Sequence, residues 1–95
     1  MLAGGWELVE MESCKLPQKV ASGWTEAMEG YVGADLNPVL YCGTQVVNGT
    51  NHLIICKAKS VTAEPREYMA SVVLHQDPND NFSVNFVGEV PTSRE

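Results

Sequence analysis

Apolar positions along this chain follow two different periods. Between Pro17 and Gly33, residues Val20, Trp24, Ala27, Met28 and Tyr31 recur at spacings of three and four, while Glu26 and Glu29 fall on the opposite face. That period predicts one amphipathic helix from Gln18 to Val32. Pro17 suits its first turn, where a missing N–H costs nothing, and Gly33 suits its C-terminal cap. Gly23 and Gly30 each weaken such a helix by up to about 1 kcal/mol relative to Ala, so packing must compensate. Elsewhere the period is two. Trp6-Glu7-Leu8-Val9-Glu10-Met11 reads as a short first strand with imperfect alternation. Asn37-Pro38 ends the helical region. Strands are then expected over Val39–Val47, Thr50–Lys59, Arg66–Gln76 and Asn81–Val90, separated by Asn48-Gly49, Glu64-Pro65 and Asp77-Pro78-Asn79-Asp80. Leu53-Ile54-Ile55 is continuously apolar, as in a central strand. The predicted order is β-α-β-β-β-β. One apolar helix stripe packed on one apolar sheet face gives an α+β fold.

The tip of the first hairpin is the most informative stretch. Asn48-Gly49 signals a two-residue type I′ turn, which needs positive φ at both positions. Two adjacent valines, Val46 and Val47, precede it, and alternation hides only one of them. Apolar side chains at an exposed tip suggest a surface that inserts into a partner.

Ninety-five residues, 44% apolar and 19% charged, fit a single small globular domain over 1–95. Twelve acidic against six basic side chains give a net charge of −6. That balance argues against nucleic-acid and anionic-membrane partners. There is no apolar run long enough to span a bilayer, and Met1-Leu2-Ala3-Gly4-Gly5 is too short for a signal peptide. An intracellular location follows if Met1 is the native start, and a secreted one if a leader has been removed. Pro91 onward reads as a polar tail.

Three cysteines are too few and too odd in number for a disulfide framework. Centring the hairpin on Asn48-Gly49 sets Cys42 and Cys56 nearly opposite each other, either as a cross-strand bridge or as two packed thiols. His52 and His75 are the only histidines, so no metal site and no cofactor is expected. Cys56 with either histidine could be read as a nucleophile and base. Yet Cys56 lies in an apolar strand with nothing nearby to lower its pKa, so no catalytic residue is expected. Two sequons, Asn48-Gly49-Thr50 and Asn81-Phe82-Ser83, read as coincidences; a glycan on Asn48 would cover the tip.

Gln45-Val46-Val47-Asn48-Gly49 resembles the QxVxG signature of cystatins, reversible inhibitors of papain-like cysteine proteases. Thr50-Asn51-His52 resembles that family's usual continuation, and Gly4-Gly5 stands where cystatins keep a glycine in an N-terminal arm. The resemblance implies a curved antiparallel sheet wrapped around one helix, with three segments forming a wedge. These are a flexible arm over 1–5 (Leu2, Ala3, Gly4, Gly5), the first loop (Gln45, Val46, Val47, Asn48, Gly49) and the second loop (Asp77, Pro78, Asn79). It implies a non-enzymatic inhibitor, a monomer able to form a domain-swapped dimer. The second loop departs from many secreted cystatins in lacking an aromatic anchor and carrying two acids. Together with the absence of the secreted members' disulfides, this is closer to stefins. A non-inhibitory cystatin-fold module that binds a protein or peptide is the alternative.

Overall fold

The long β-hairpin predicted around Asn48-Gly49 organises the molecule. The computed structural model describes residues 6–92. Among them one helix, α1 (Gln18–Met28), precedes four strands: β1 (Ala34–Val47), β2 (Gly49–Ser60), β3 (Glu67–Gln76) and β4 (Phe82–Glu89). The strands form one antiparallel sheet in the order β1-β2-β3-β4. The described residues therefore form a small α+β unit, a sheet with a helix on one face.

Alternation along β2 sets the layers. His52, Ile54, Cys56 and Ala58 are all buried on the helix side. They meet Ala70, Val72 and Leu74 of β3, Phe82 of β4 and Val20 of α1, with Trp24, Ala27 and Met28 packed against this core. Ile54, Leu74 and Val72 are fully enclosed, each contributing about 1.5–3 kcal/mol of apolar burial. Gly23, a weak helix former, is explained here: a Cβ at this position would overlap the Phe82 ring. The absent side chain is what lets α1 approach β4. The apolar run Leu53-Ile54-Ile55 lies in an interior strand of the sheet, as expected, yet Leu53 is exposed. β2 is central in the sheet, but the helix covers only one of its faces.

The expected first strand does not form: 6–11 has no strand structure, and the order of described elements is α-β-β-β-β. Trp6 and Val9 are largely exposed. The segment is tied by Lys57 Nζ donating to the Val9 carbonyl (3.1 Å) and by the Cys14 N–H donating to the Pro38 carbonyl (2.9 Å). The neighbouring edge explains the failure. Pro38 lies within β1 and offers no N–H, and register shifts at Val39 and Cys42 bulge the strand. An edge so interrupted cannot template a regular ladder. The same edge position is why β1 tolerates Pro38 and begins at Ala34, earlier than the expected Val39.

The helix also stops sooner than its period suggests. It ends at Met28, Gly30 takes φ +79, and the Tyr31 N–H donates back to the Met28 carbonyl (3.0 Å). Gly30, with its freedom at positive φ, is thus the stop residue in place of Gly33. Tyr31 falls outside the helix and is exposed.

Candidate functional site at the hairpin tips

The β1–β2 tip and the β3–β4 turn lie side by side at one end of the sheet. Gly49, at φ +101, brings its backbone against the Gln76 carbonyl and the Asp77 Cα; any Cβ there would overlap the Gln76 oxygen. Two demands, a left-handed φ and a backbone–backbone approach, therefore select glycine at the position the sequence marked. The turn itself differs from expectation. Val47 pairs with Gly49, Val46 with Thr50, and Asn48 alone stands out of the ladder. Asn48 is not at positive φ, so the two-residue type I′ turn is replaced by a tighter one, with the pairing moved by one residue. Gln45, Val46, Val47 and Asn48 are all exposed, Val46 at 85% and Val47 at 43%.

That register shift and the two bulges also separate the cysteines. Cys56 pairs with Pro38, while Cys42 occupies a bulge. Cys42 is exposed, Cys56 is buried, and both are free thiols. They form neither a bridge nor a packed pair. Burial, and secondarily Cys14 nearby, pushes the Cys56 thiol up to about 12.

Two polar ladders fix the tip. On the helix-free face, Asn51 Nδ2 donates to Gln45 Oε1 (3.1 Å) and His75 Nδ1 bonds Asn51 Oδ1 (2.9 Å), linking β1, β2 and β3. On the helix face, His52 is only 5% exposed and sits between the rings of Tyr41 and Phe82. Its Nε2 bonds Gln76 Oε1 (2.9 Å), and its Nδ1 bonds the Tyr41 hydroxyl (2.8 Å). Gln76 Nε2 donates to Asp80 Oδ1 (2.7 Å), and Lys19 Nζ donates to Asp80 Oδ2 (2.7 Å). The carboxylate can only accept, which orients the Gln76 amide; its oxygen then requires the proton on His52 Nε2, and Nδ1 accepts from Tyr41. Burial pushes the Tyr41 hydroxyl above its ordinary value. The chain Tyr41–His52–Gln76–Asp80–Lys19 thus ties both tips to the start of α1.

The second turn is built on Asp77. Its carboxylate accepts from the N–H groups of Asn79 (2.8 Å) and Asn81 (2.9 Å) and from Asn81 Nδ2 (3.3 Å). The Asn81 N–H holds Asp77 below the usual carboxylate range, with the Asn81 side chain and the Asn79 N–H acting the same way. Lys19 and then Gln76 likewise hold Asp80 low. Both acids of this loop are therefore bonded within the molecule, Asp77 inside the loop and Asp80 to Gln76 and Lys19, and Pro78, Asn79 and Asp80 are its exposed residues. The sequence shows that the loop carries two acids but not what they bind. Sequence reasoning missed His52, Gln76, Asp80 and Lys19 as supports, because partners up to 61 residues apart share no local motif.

Leu2, Ala3, Gly4 and Gly5 lie outside the described residues. Of the flanking segment, the Val9 carbonyl is held by Lys57. On β2 that residue is eight beyond Gly49, or roughly 26 Å at about 3.3 Å per residue. His52, considered as a base for Cys56, has both ring nitrogens taken by Tyr41 and Gln76. Comparison with family models, curated proteins and solved structures gives no significant match.

Proposed function

We propose that this chain is a reversible, competitive inhibitor of papain-like cysteine proteases, acting through the paired hairpin tips as cystatins do. The observation that carries the proposal is the exposed Val46-Val47 pair, on a tip packed through Gly49 against the second turn. A preorganised apolar edge buries surface on binding at about 25 cal/mol per Å² without a large ordering cost. Neutral Pro78 and Asn79 extend the same edge, since Asp77 and Asp80 are internally satisfied. In this reading Gln45 shapes the tip through Asn51, and the arm over 1–5 supplies Leu2 and Ala3 to the unprimed subsites. The cystatin-like architecture, a sheet curved around the helix, belongs to the same proposal.

A second reading, a non-inhibitory protein-binding module, draws on the helix-free face. There Leu53, Val73 and Phe86 are neighbours in register, and Leu53 and Phe86 are exposed. Titration of papain against a fluorogenic substrate separates the two. Reversible inhibition relieved by added substrate supports the wedge. Full activity at high micromolar concentrations of the chain refutes it and favours the module.

A further inference from the structure

The first tip carries a dipeptide whose chemistry neither the fold nor the proposed inhibition uses. Six asparagines occur in the chain, and only Asn48 precedes a glycine. Asn48 is exposed, stands out of the strand ladder, and has no hydrogen bond to its side-chain amide among the described residues. Three of the other five are held: Asn51 by Gln45 and His75, Asn81 by Asp77, Asn37 by Ser13; Asn79 and Asn85 are exposed like Asn48 but precede Asp80 and Phe86 in place of a glycine. We propose that Asn48-Gly49 is a site of spontaneous deamidation that switches the tip off.

The reaction needs only water. The nitrogen of Gly49, a residue with no side chain of its own to block the approach, attacks Asn48 Cγ. The new C–N bond closes a succinimide, the Cγ–Nδ2 bond breaks, and ammonia leaves with the proton lost from the Gly49 amide. Water then opens the imide at either carbonyl, giving aspartate or isoaspartate at position 48. Both products place a carboxylate beside Val46 and Val47. The isoaspartyl product also adds one methylene to the main chain directly before Gly49. Gly49 has no room for it, because its backbone already lies against the Gln76 carbonyl. The lengthened tip must separate from the second turn and pull on Gln76, the partner of buried His52. A negative charge in a desolvated interface is costly in its own right.

The consequence for inhibition rests on the function proposed above; the modification itself does not. Incubation of the whole protein in neutral and mildly alkaline buffers, followed by peptide mapping and enzymatic isoaspartyl labelling, tests the site. Conversion at Asn48 well ahead of the other five asparagines, faster at higher pH, is expected. The amide resonances of Gly49 and Gln76 should move in the converted fraction, and its papain inhibition should fall by about tenfold or more. The Asn48→Gln variant, whatever its starting strength, should hold it constant through the same ageing. Conversion no faster than at Asn79 or Asn85, or converted protein with unmoved resonances and undiminished inhibition, overturns the proposal. Fresh protein that does not inhibit papain refutes the inhibitory reading alone, and the map and resonances still decide this one.

Discussion

Replacing Gly49 by alanine should damage the paired tips more than any other single methyl addition on this hairpin. The residue sits at φ +101, where a Cβ costs about 1–2 kcal/mol. The added carbon would also overlap the Gln76 carbonyl oxygen, and the atom it meets is backbone, which cannot rotate away. Relief requires the β1–β2 tip and the β3–β4 turn to part. That strains the bond from His52 Nε2 to Gln76 Oε1, and a buried polar group left unpaired costs about 1–3 kcal/mol. Together the loss is about 2–5 kcal/mol. Gly43→Ala is the control: it lies on the same strand pair, its φ is ordinary, and nothing stands within 4 Å of the added carbon. Urea unfolding followed by circular dichroism measures both. The expected result is a lowered midpoint with an unchanged slope for Gly49→Ala and a change within about 0.5 kcal/mol for Gly43→Ala. Equal, small effects for the two variants would refute the contact between the tips.

Val46→Asp should leave stability within about 0.5 kcal/mol, since the side chain is 85% exposed. Papain inhibition should meanwhile weaken by about tenfold or more; unchanged inhibition by the folded variant removes Val46 from the interface. In the native protein, alkylation should reach exposed Cys42 and spare Cys56 until unfolding, because burial pushes the Cys56 thiol up to about 12; simultaneous labelling in mass spectra contradicts this. Asp77, Asp80 and Glu89 are held low by Asn81, Lys19 and Arg66 respectively. Their stabilisation is therefore complete above the unfolded value, near 3.8 for the aspartates, and lost as pH falls through the lowered folded values. Asp77→Asn should accordingly flatten the acid limb of a stability–pH curve measured in urea, and an unaltered limb counts against the Asp77 turn.

Local signals were legible where one residue's geometry decided the structure. Asn48-Gly49 and Asp77-Pro78 marked the turns, and alternation in Phe82-Ser83-Val84 marked β4, because turn residues and a period of two act over short distances. The failures arose where a distant partner decided. Trp6 to Met11 reads as a strand by itself, but its neighbour is an edge carrying Pro38 and two bulges. The helical period runs on to Tyr31, but the chain needed Gly30 to turn toward Ala34. The register of Cys56 could not be counted from the tip, since Val39 and Cys42 each shift it. The tip's valines were visible in the sequence; the support behind them, from Tyr41 through His52 and Gln76 to Lys19, exists only once β1, β2, β3 and α1 are packed.

Amide chemical-shift mapping of the isotope-labelled chain on addition of papain tests the central claim most directly. The account predicts a footprint confined to Gln45–Gly49, the Asp77–Asn81 turn and the N-terminal arm, reversed when a small active-site inhibitor displaces the chain. A footprint centred on Leu53, Val73 and Phe86, or none at all, would contradict it.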